Sequence, residues 1–233
     1  MSIAQIPGSY LRLAGISAIL AGIIIISFAL ISDSHGLFFF YDVYTGGSVE
    51  PWIENVRSNP EVAKIIMALP VLGFSCFLIT GTVLFQILPG TIWQKNLSFA
   101  GYGIGAPISI VMWIVQLSLM NHVMLTYGQP TVSDAQMNSL TSFVLFFFHI
   151  MNDVFGPLFI IVSGSGMLAW SALRAELLPK WFCYAGMLIA IIMILSFLAV
   201  AIPEFRVLSF IAPVHMIWYI GLGVYLLKLA KKD

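Results

Sequence analysis

Charged residues are scarce in this sequence. Of its 233 residues, 9% are charged and 60% are hydrophobic, whereas about a quarter of the residues in an average soluble domain are charged. The ten basic and ten acidic residues cancel, so the chain has no basic excess with which to bind a nucleic acid. So few charges cannot cover a soluble domain of this size, and so much apolar sequence excludes a disordered chain. The composition therefore predicts a polytopic membrane protein.

Signatures of common enzyme chemistries are also missing. The sequence contains no P-loop, no dinucleotide-binding glycine pattern, no Gly-x-Ser-x-Gly and no His-x-x-x-His pair for zinc. Its two cysteines, Cys76 and Cys183, lie in separate apolar segments. This separation excludes a disulfide framework and predicts buried, unreactive thiols. We therefore expect a protein without enzymatic activity.

Six apolar stretches are each long enough to cross the hydrocarbon core of a membrane, which takes about 20 helical residues. They cover approximately residues 10–31, 60–88, 97–120, 134–173, 181–202 and 207–229. The triplet Asn59-Pro60-Glu61 predicts the start of the second helix, with a proline in the first turn and an acid near the helix dipole. Ser133 and Gln136 form a capping-box pattern before the fourth helix. The sequence thus predicts an all-α fold, in which residues 1–233 form one bundle of six transmembrane helices.

The basic residues predict the orientation of this bundle. With six spans, both termini share one side of the membrane with the second-to-third and fourth-to-fifth connections. That side holds seven basic residues and the other side holds three. The seven are Arg12, Lys95, Arg174, Lys180, Lys228, Lys231 and Lys232. Because cytoplasmic loops are enriched in Lys and Arg, we expect both termini in the cytoplasm (N-in/C-in).

The largest predicted loop covers residues 32–59 on the outer side. It begins with the aromatic run at residues 38–41 and continues with a short helix at about 51–57 that carries Trp52. Aromatic side chains favour the membrane–water interface. We therefore expect an aromatic cap lying on the lipid headgroups, with a lid over a ligand as the alternative. A smaller outer loop is predicted at residues 121–132.

Small residues and prolines are expected to shape the packing of the spans. Gly101, Gly105 and Ser109 recur every four residues on the third span, and Ser163 and Gly164 extend a small face on the fourth. Small residues allow close helix packing in a membrane. Four prolines lie inside the predicted spans: Pro70, Pro107, Pro157 and Pro213. Each is expected to kink its helix, because proline removes a backbone hydrogen bond.

Polar residues within the spans are the candidate ligand-binding residues, because a polar group in the lipid core needs a partner or a function. They are His149, Asn152 and Asp153 on the fourth span, His215 and Tyr219 on the sixth, and Gln116 on the third. Spacings of three and four place the first three on one helical face. His149 and His215 each lie about 8 residues, or roughly 12 Å, below the predicted outer boundary. We expect one polar cluster in the outer half of the membrane if these three helices are neighbours.

This cluster has three interpretations. The first is a hydrogen-bond network that fixes helix packing, with Asp153 either protonated or paired with His149. The second is a site for a small molecule, an ion or a proton that opens outward. The third is a haem b or metal-ion site that uses His149 and His215, with His122 as a further ligand. We expect no cofactor, with haem b or a metal ion as the alternative.

The last three spans carry residues that mark a known family. Leu177-Leu178-Pro179-x-Trp181 is followed by Gly186, and the sixth span contains Trp218, Gly223 and Leu226-Leu227-Lys228. This pattern resembles a broad bacterial family of multi-pass membrane proteins of unknown function. The resemblance implies a six-span bundle in the bacterial inner (cytoplasmic) membrane. It implies no reaction, cofactor or binding residue.

These observations favour a protein whose partners are lipids and other membrane proteins. The chain has almost no soluble mass with which to act alone, so we expect a non-enzymatic scaffold or accessory subunit, with an outward-facing pocket for a small ligand as a further feature. The alternatives are a haem- or metal-binding redox protein that uses the histidines, and a small transporter. Nucleic acid is not expected as a partner.

Overall fold

The computed structural model describes residues 7–37, 48–87, 92–127, 129, 132–200, 202, 205, 208 and 210–231. Every regular element within these ranges is helical, which confirms the prediction of an all-α fold. The α-helices are α1 (Gly8–Ser34), α2 (Glu50–Ser58), α3 (Pro60–Ile87), α4 (Ile92–Thr126), α5 (Asp134–His149), α6 (Met167–Arg174), α7 (Lys180–Ser196) and α8 (Ile211–Leu229). Two π-helices, π1 (Ile150–Phe155) and π2 (Leu158–Gly166), lie between α5 and α6, and a 3-10 helix (Phe197–Val200) follows α7.

Four of the described helices are long and apolar enough to cross a membrane, namely Gly8–Ser34, Pro60–Gln86, Trp93–Thr126 and Ile211–Leu229. Two shorter apolar helices, Leu158–Arg174 and Lys180–Ser196, occupy the positions of the predicted fourth and fifth spans. Large apolar side chains cover the outer surface, and Phe143 is 67% exposed. A soluble monomer rarely exposes so much apolar surface. The apolar helices therefore point to a membrane-embedded protein.

Small residues set the closest helix contacts. α1 packs against both α3 and α8, and a Cβ placed on Gly15 would lie 2.9 Å from the carbonyl oxygen of Gly223. α4 packs against π2, and a Cβ on Gly101 would meet the backbone of Gly164. The small faces of these two helices therefore contact each other. Close backbone approach maximises packing where apolar side chains gain nothing over lipid.

Basic residues gather at one end of the bundle. α1 and α8 run antiparallel, so that Gly8 lies near Ala230, and the rings of Trp93 and Trp170 meet with centroids 5.5 Å apart. Six of the seven basic residues predicted on the inner side belong to this end, which we call the basic end: Arg12, Lys95, Arg174, Lys180, Lys228 and Lys231. Lys232 lies outside the described residues.

The opposite end, which we call the acidic end, carries Asp33, Glu50, Glu54, Glu61 and Asp134. Here Asn138 donates a hydrogen bond to Glu50 (3.2 Å), and the guanidinium of Arg57 lies over the ring of Tyr127. The short helix predicted in the first outer loop is present as α2. Its Trp52 is fully buried beside Met67 and Met120, so the expected position of Trp52 at the headgroups is wrong. The aromatic run at 38–41 lies outside the described residues.

Two further expectations need correction. α4 continues to Thr126 instead of ending near Met120, so half of the predicted second outer loop is helical. No glycine or proline interrupts the sequence between Pro107 and Gly128, and the helix therefore extends beyond its apolar part. Pro213 does not kink a helix, because it is the third residue of α8. In the first turn its missing N–H has no helical partner to lose.

Residues 134–174 form one uninterrupted helical rod, which we call the long helix. It starts with the predicted capping box, in which the Gln136 N–H donates to Ser133 Oγ. Its middle is wound as π1 and π2 on either side of Pro157. π-Winding is rare and often found at functional positions. Here it accompanies a proline that cannot donate the normal backbone bond.

Candidate functional site

A hydrogen-bonded network crosses the middle of the bundle. The hydroxyls of Tyr102 (α4) and Ser165 (π2) are 2.8 Å apart, and Ser165 Oγ is 2.8 Å from Nε2 of His215 (α8). The Tyr219 hydroxyl, one turn beyond His215, lies near the hydroxyls of Thr80 (α3) and Tyr102 but has no hydrogen-bond partner among the described residues. We call these five residues the mid-bundle network. None of them is more than 1% exposed.

Aromatic rings enclose this network. Phe77 lies parallel to the imidazole of His215 with centroids 6.1 Å apart, and it contacts the Tyr219 ring at 4.4 Å. The centroid of the Trp218 ring is also 6.1 Å from that of His215. The Trp218 indole N–H donates to the carbonyl of Phe182 (2.9 Å). The rings exclude water, so the polar groups depend on one another for hydrogen bonds.

Glycines make room for the large rings. A Cβ on Gly81 (α3) would run into Tyr102, and a Cβ on Gly164 (π2) would lie 3.1 Å from the same ring. The Tyr102 ring therefore fits between two helices because each has a glycine where it meets the ring. Gly186 (α7) likewise leaves room for Trp218, because a Cβ on Gly186 would lie 2.6 Å from the Trp218 ring. These glycines set the depth at which the Tyr102 hydroxyl meets Ser165.

The predicted site residues fall into two separate places. Gly101 lies opposite Gly164 and Ser109 opposite Gly156. Continuing this antiparallel register places Gln116 level with His149, and Trp113 level with Asn152. The contact between the rings of Trp113 and Phe148, at 4.8 Å, agrees with it. Gln116 and Asn152 are buried, and His149 is half-buried. The side chain of Asp153 lies outside the described part of the chain.

His215 and Tyr219 do not join these residues. His215 bonds to Ser165, which is 16 residues after His149 on the long helix, a separation on the order of 20 Å. The predicted equal depth of the two histidines is wrong. The long helix begins 15 residues before His149, whereas α8 begins only 4 residues before His215. The two imidazoles therefore cannot ligate one haem or one metal ion.

The remaining predicted ligand, His122, is exposed near the end of α4. Among the side chains that the structure describes, no three His, Cys, Asp or Glu groups lie close enough to hold a metal ion. Both cysteines are free thiols, Cys183 buried and Cys76 half-buried. The described residues therefore offer hydrogen bonds within the bundle and no ready set of metal ligands.

Sequence reasoning missed three members of the network, namely Thr80, Tyr102 and Ser165. Ser165 lies in the run Ser163-Gly164-Ser165-Gly166, which by itself indicates only close packing. The one available signal was the pair His215 and Tyr219, whose buried polar groups required partners from other helices. Which residues those are depends on the register between helices, and no single helix carries that information.

The chain has no match among curated proteins or among solved structures. The model of one protein family, described as a domain of unknown function (DUF4386), matches residues 13–229. Its match takes in the long helix, the mid-bundle network and nearly all of α1 and α8. The chain therefore belongs to the DUF4386 family.

Proposed function

We propose that this chain is a six-span protein of the bacterial inner membrane with its basic end in the cytoplasm. Four described helices have the length and composition of membrane spans, and the two shorter apolar helices pack against members of this set, Leu158–Arg174 against α4 and Lys180–Ser196 against α8. The collection of Arg and Lys side chains at one end supports the orientation, because cytoplasmic segments retain positive charge. Both termini then lie in the cytoplasm.

Its function in this proposal is that of a non-enzymatic scaffold or accessory subunit that packs against lipids and other membrane proteins. One observation carries the proposal. At the centre of the bundle, Tyr102, Ser165 and His215 bond to each other across three helices, and none of the three is more than 1% exposed. A catalytic site needs a reachable polar group, whereas a scaffold needs a fixed shape, which buried hydrogen bonds between helices support.

Extraction from native membranes in a mild detergent tests this function. We expect the tagged chain, with a mass of 25.7 kDa, to copurify with one membrane protein in a fixed ratio, measured by native mass spectrometry. The same preparation after harsh detergent is the control, because it separates bound partners from contaminants. A homogeneous monomer in every mild detergent would contradict the scaffold.

A second candidate function is a small-ligand site in the acidic half of the bundle. The observation that favours it is Gln116, which is buried and whose amide oxygen has no hydrogen-bond partner among the described residues. The register above places Gln116 level with His149, and Trp113, three residues before Gln116, level with Asn152. A monomer that gains thermal stability saturably with an added small molecule would favour this function over the scaffold.

A further inference from the structure

Three buried polar atoms without partners lie along one face of α4. Ser109, Trp113 and Gln116 are spaced by four and three residues, which places them on one helical face, and none is more than 4% exposed. Within the described part of the chain, Ser109 Oγ, Trp113 Nε1 and Gln116 Oε1 have no hydrogen-bond partner. We call these three residues the polar stripe.

Such a set requires a physical explanation. Buried polar groups in folded proteins are nearly always hydrogen-bonded, because an unpartnered one keeps the cost of losing water without compensation. In the apolar interior of a membrane protein, water or a ligand must replace the missing partner. Three unpartnered atoms on consecutive turns of one helix therefore indicate that another molecule supplies their hydrogen bonds.

The facing wall belongs to the long helix. Ser109 lies against Gly156, where a Cβ would come within 2.6 Å of Ser109 Oγ. The wall opposite Trp113 is wound as π1, and such widened turns are frequent at functional sites. The rings of Phe28 and Phe148 hold the indole of Trp113 edge-on, each at 4.8 Å. The direction of its N–H is thus fixed before anything binds.

We propose that the polar stripe binds a neutral molecule through a hydroxyl group. Trp113 can only donate a hydrogen bond and the Gln116 oxygen can only accept one, so a ligand group that serves both must accept from the first and donate to the second. A hydroxyl group is the smallest that does both, and the Ser109 hydroxyl can serve either role. The hydroxyl comes either from ordered water or from a lipid alcohol such as diacylglycerol. This inference rests on the second candidate function and names its ligand chemistry.

The sign of a stability change tests the inference. Gln116→Met keeps a linear side chain of similar size and removes the amide. If a hydroxyl is bound, the variant loses that bond, and we expect Tm in detergent to fall by about 2–4 °C. Trp113→Phe, which removes only the donor and part of the ring, should shift Tm in the same direction. Ser118→Ala is the control on the same helix, because Ser118 Oγ bonds to its own helix at Ile114 on the exposed face.

An unoccupied stripe gives the opposite result. Gln116→Met would then remove a destabilising orphan oxygen, and Tm would stay the same or rise. That outcome, in a variant that elutes like the original protein, overturns the proposal. Copurification of a protein partner is expected to be unchanged in Gln116→Met, so failure of this inference is distinguishable from failure of the scaffold.

Two further measurements identify the source of the hydroxyl if Tm falls. If the ligand is a lipid alcohol, native mass spectrometry of the original protein from native membranes should show a neutral lipid adduct. The same measurement on Gln116→Met should show no such adduct. Added 1,2-dioctanoylglycerol should then raise the Tm of the original protein saturably and leave that of the variant unchanged. A lower Tm in Gln116→Met with neither lipid effect assigns the hydroxyl to water.

Discussion

At the scale of single residues, Ser165 links side chains of two other helices. Its hydroxyl is shared between Tyr102 of α4 and His215 of α8, so one small side chain joins three helices. Because all three residues are buried, neither partner can turn to water if Ser165 is removed. The importance of Ser165 follows from its place between two buried groups and not from its own size.

Ser165→Ala is therefore expected to lower the stability of the bundle. Tyr102 and His215 would each lose a bond inside an apolar environment, which costs about 2 kcal/mol and lowers Tm by roughly 4–8 °C. Thermal unfolding in detergent, followed by circular dichroism, measures the change. Ser163→Ala, two residues earlier and half-buried, is the matched control and should shift Tm by less than about 1 °C. Equal Tm shifts in the two variants would show that the mid-bundle network does not contribute to stability.

At the scale of helices, the sequence was sufficient to predict features that depend on residues within one helical turn. The start of α3 at Pro60 and the capping box at Ser133 follow from residues within one turn, and both are present. Contacts between helices could not be predicted in this way. A tryptophan at a membrane interface and one inside a protein look the same in sequence, and Trp52 is of the second kind.

The prediction of side-chain depth in the membrane failed for a related reason. Counting residues from an assumed membrane boundary gave His149 and His215 the same level. The long helix has many more residues before His149 than α8 has before His215, and only packing reveals how far each helix extends. π-Winding was also beyond prediction, since it changes the backbone hydrogen-bond partner without changing the apolar pattern.

Two glycines on α4 test the packing of helices with one another. Gly101→Ala would push a methyl group into the backbone of Gly164, separating α4 from π2. It would also stretch the bonds from Ser98 to Gly164 (3.1 Å) and from Tyr102 to Ser165. We expect a loss of 2 kcal/mol or more, by analogy with overpacked cores at about 1–3 kcal/mol.

Gly103→Ala is the control for this prediction. A Cβ there meets only the ring of Phe99, at 3.5 Å or more, and alanine forms helix more readily than glycine by about 1 kcal/mol. Its Tm should stay the same or rise. If both alanine variants unfold at the same temperature, the close contact between α4 and π2 is not a determinant of stability.

At the scale of the whole molecule, the segregation of charge is the main organising feature. Antiparallel packing brings Arg12, Lys95 and Lys228 to the same end although they are far apart in sequence. The apolar surface between the two ends suits lipid and not water. Composition alone predicted a membrane protein, because a chain with only 9% charged residues cannot cover its apolar side chains in water.

The orientation of this bundle is the central claim, and a pair of topology reporters tests it most directly. One reporter that is active only in the cytoplasm is fused after Lys231, and one that is active only in the periplasm is inserted after Gln129, between α4 and α5. We predict activity from both fusions in bacterial cells, since the proposed orientation puts the basic end inside and the acidic end outside. If both fusions are inactive and both become active when the two reporters are exchanged, the proposed orientation is wrong.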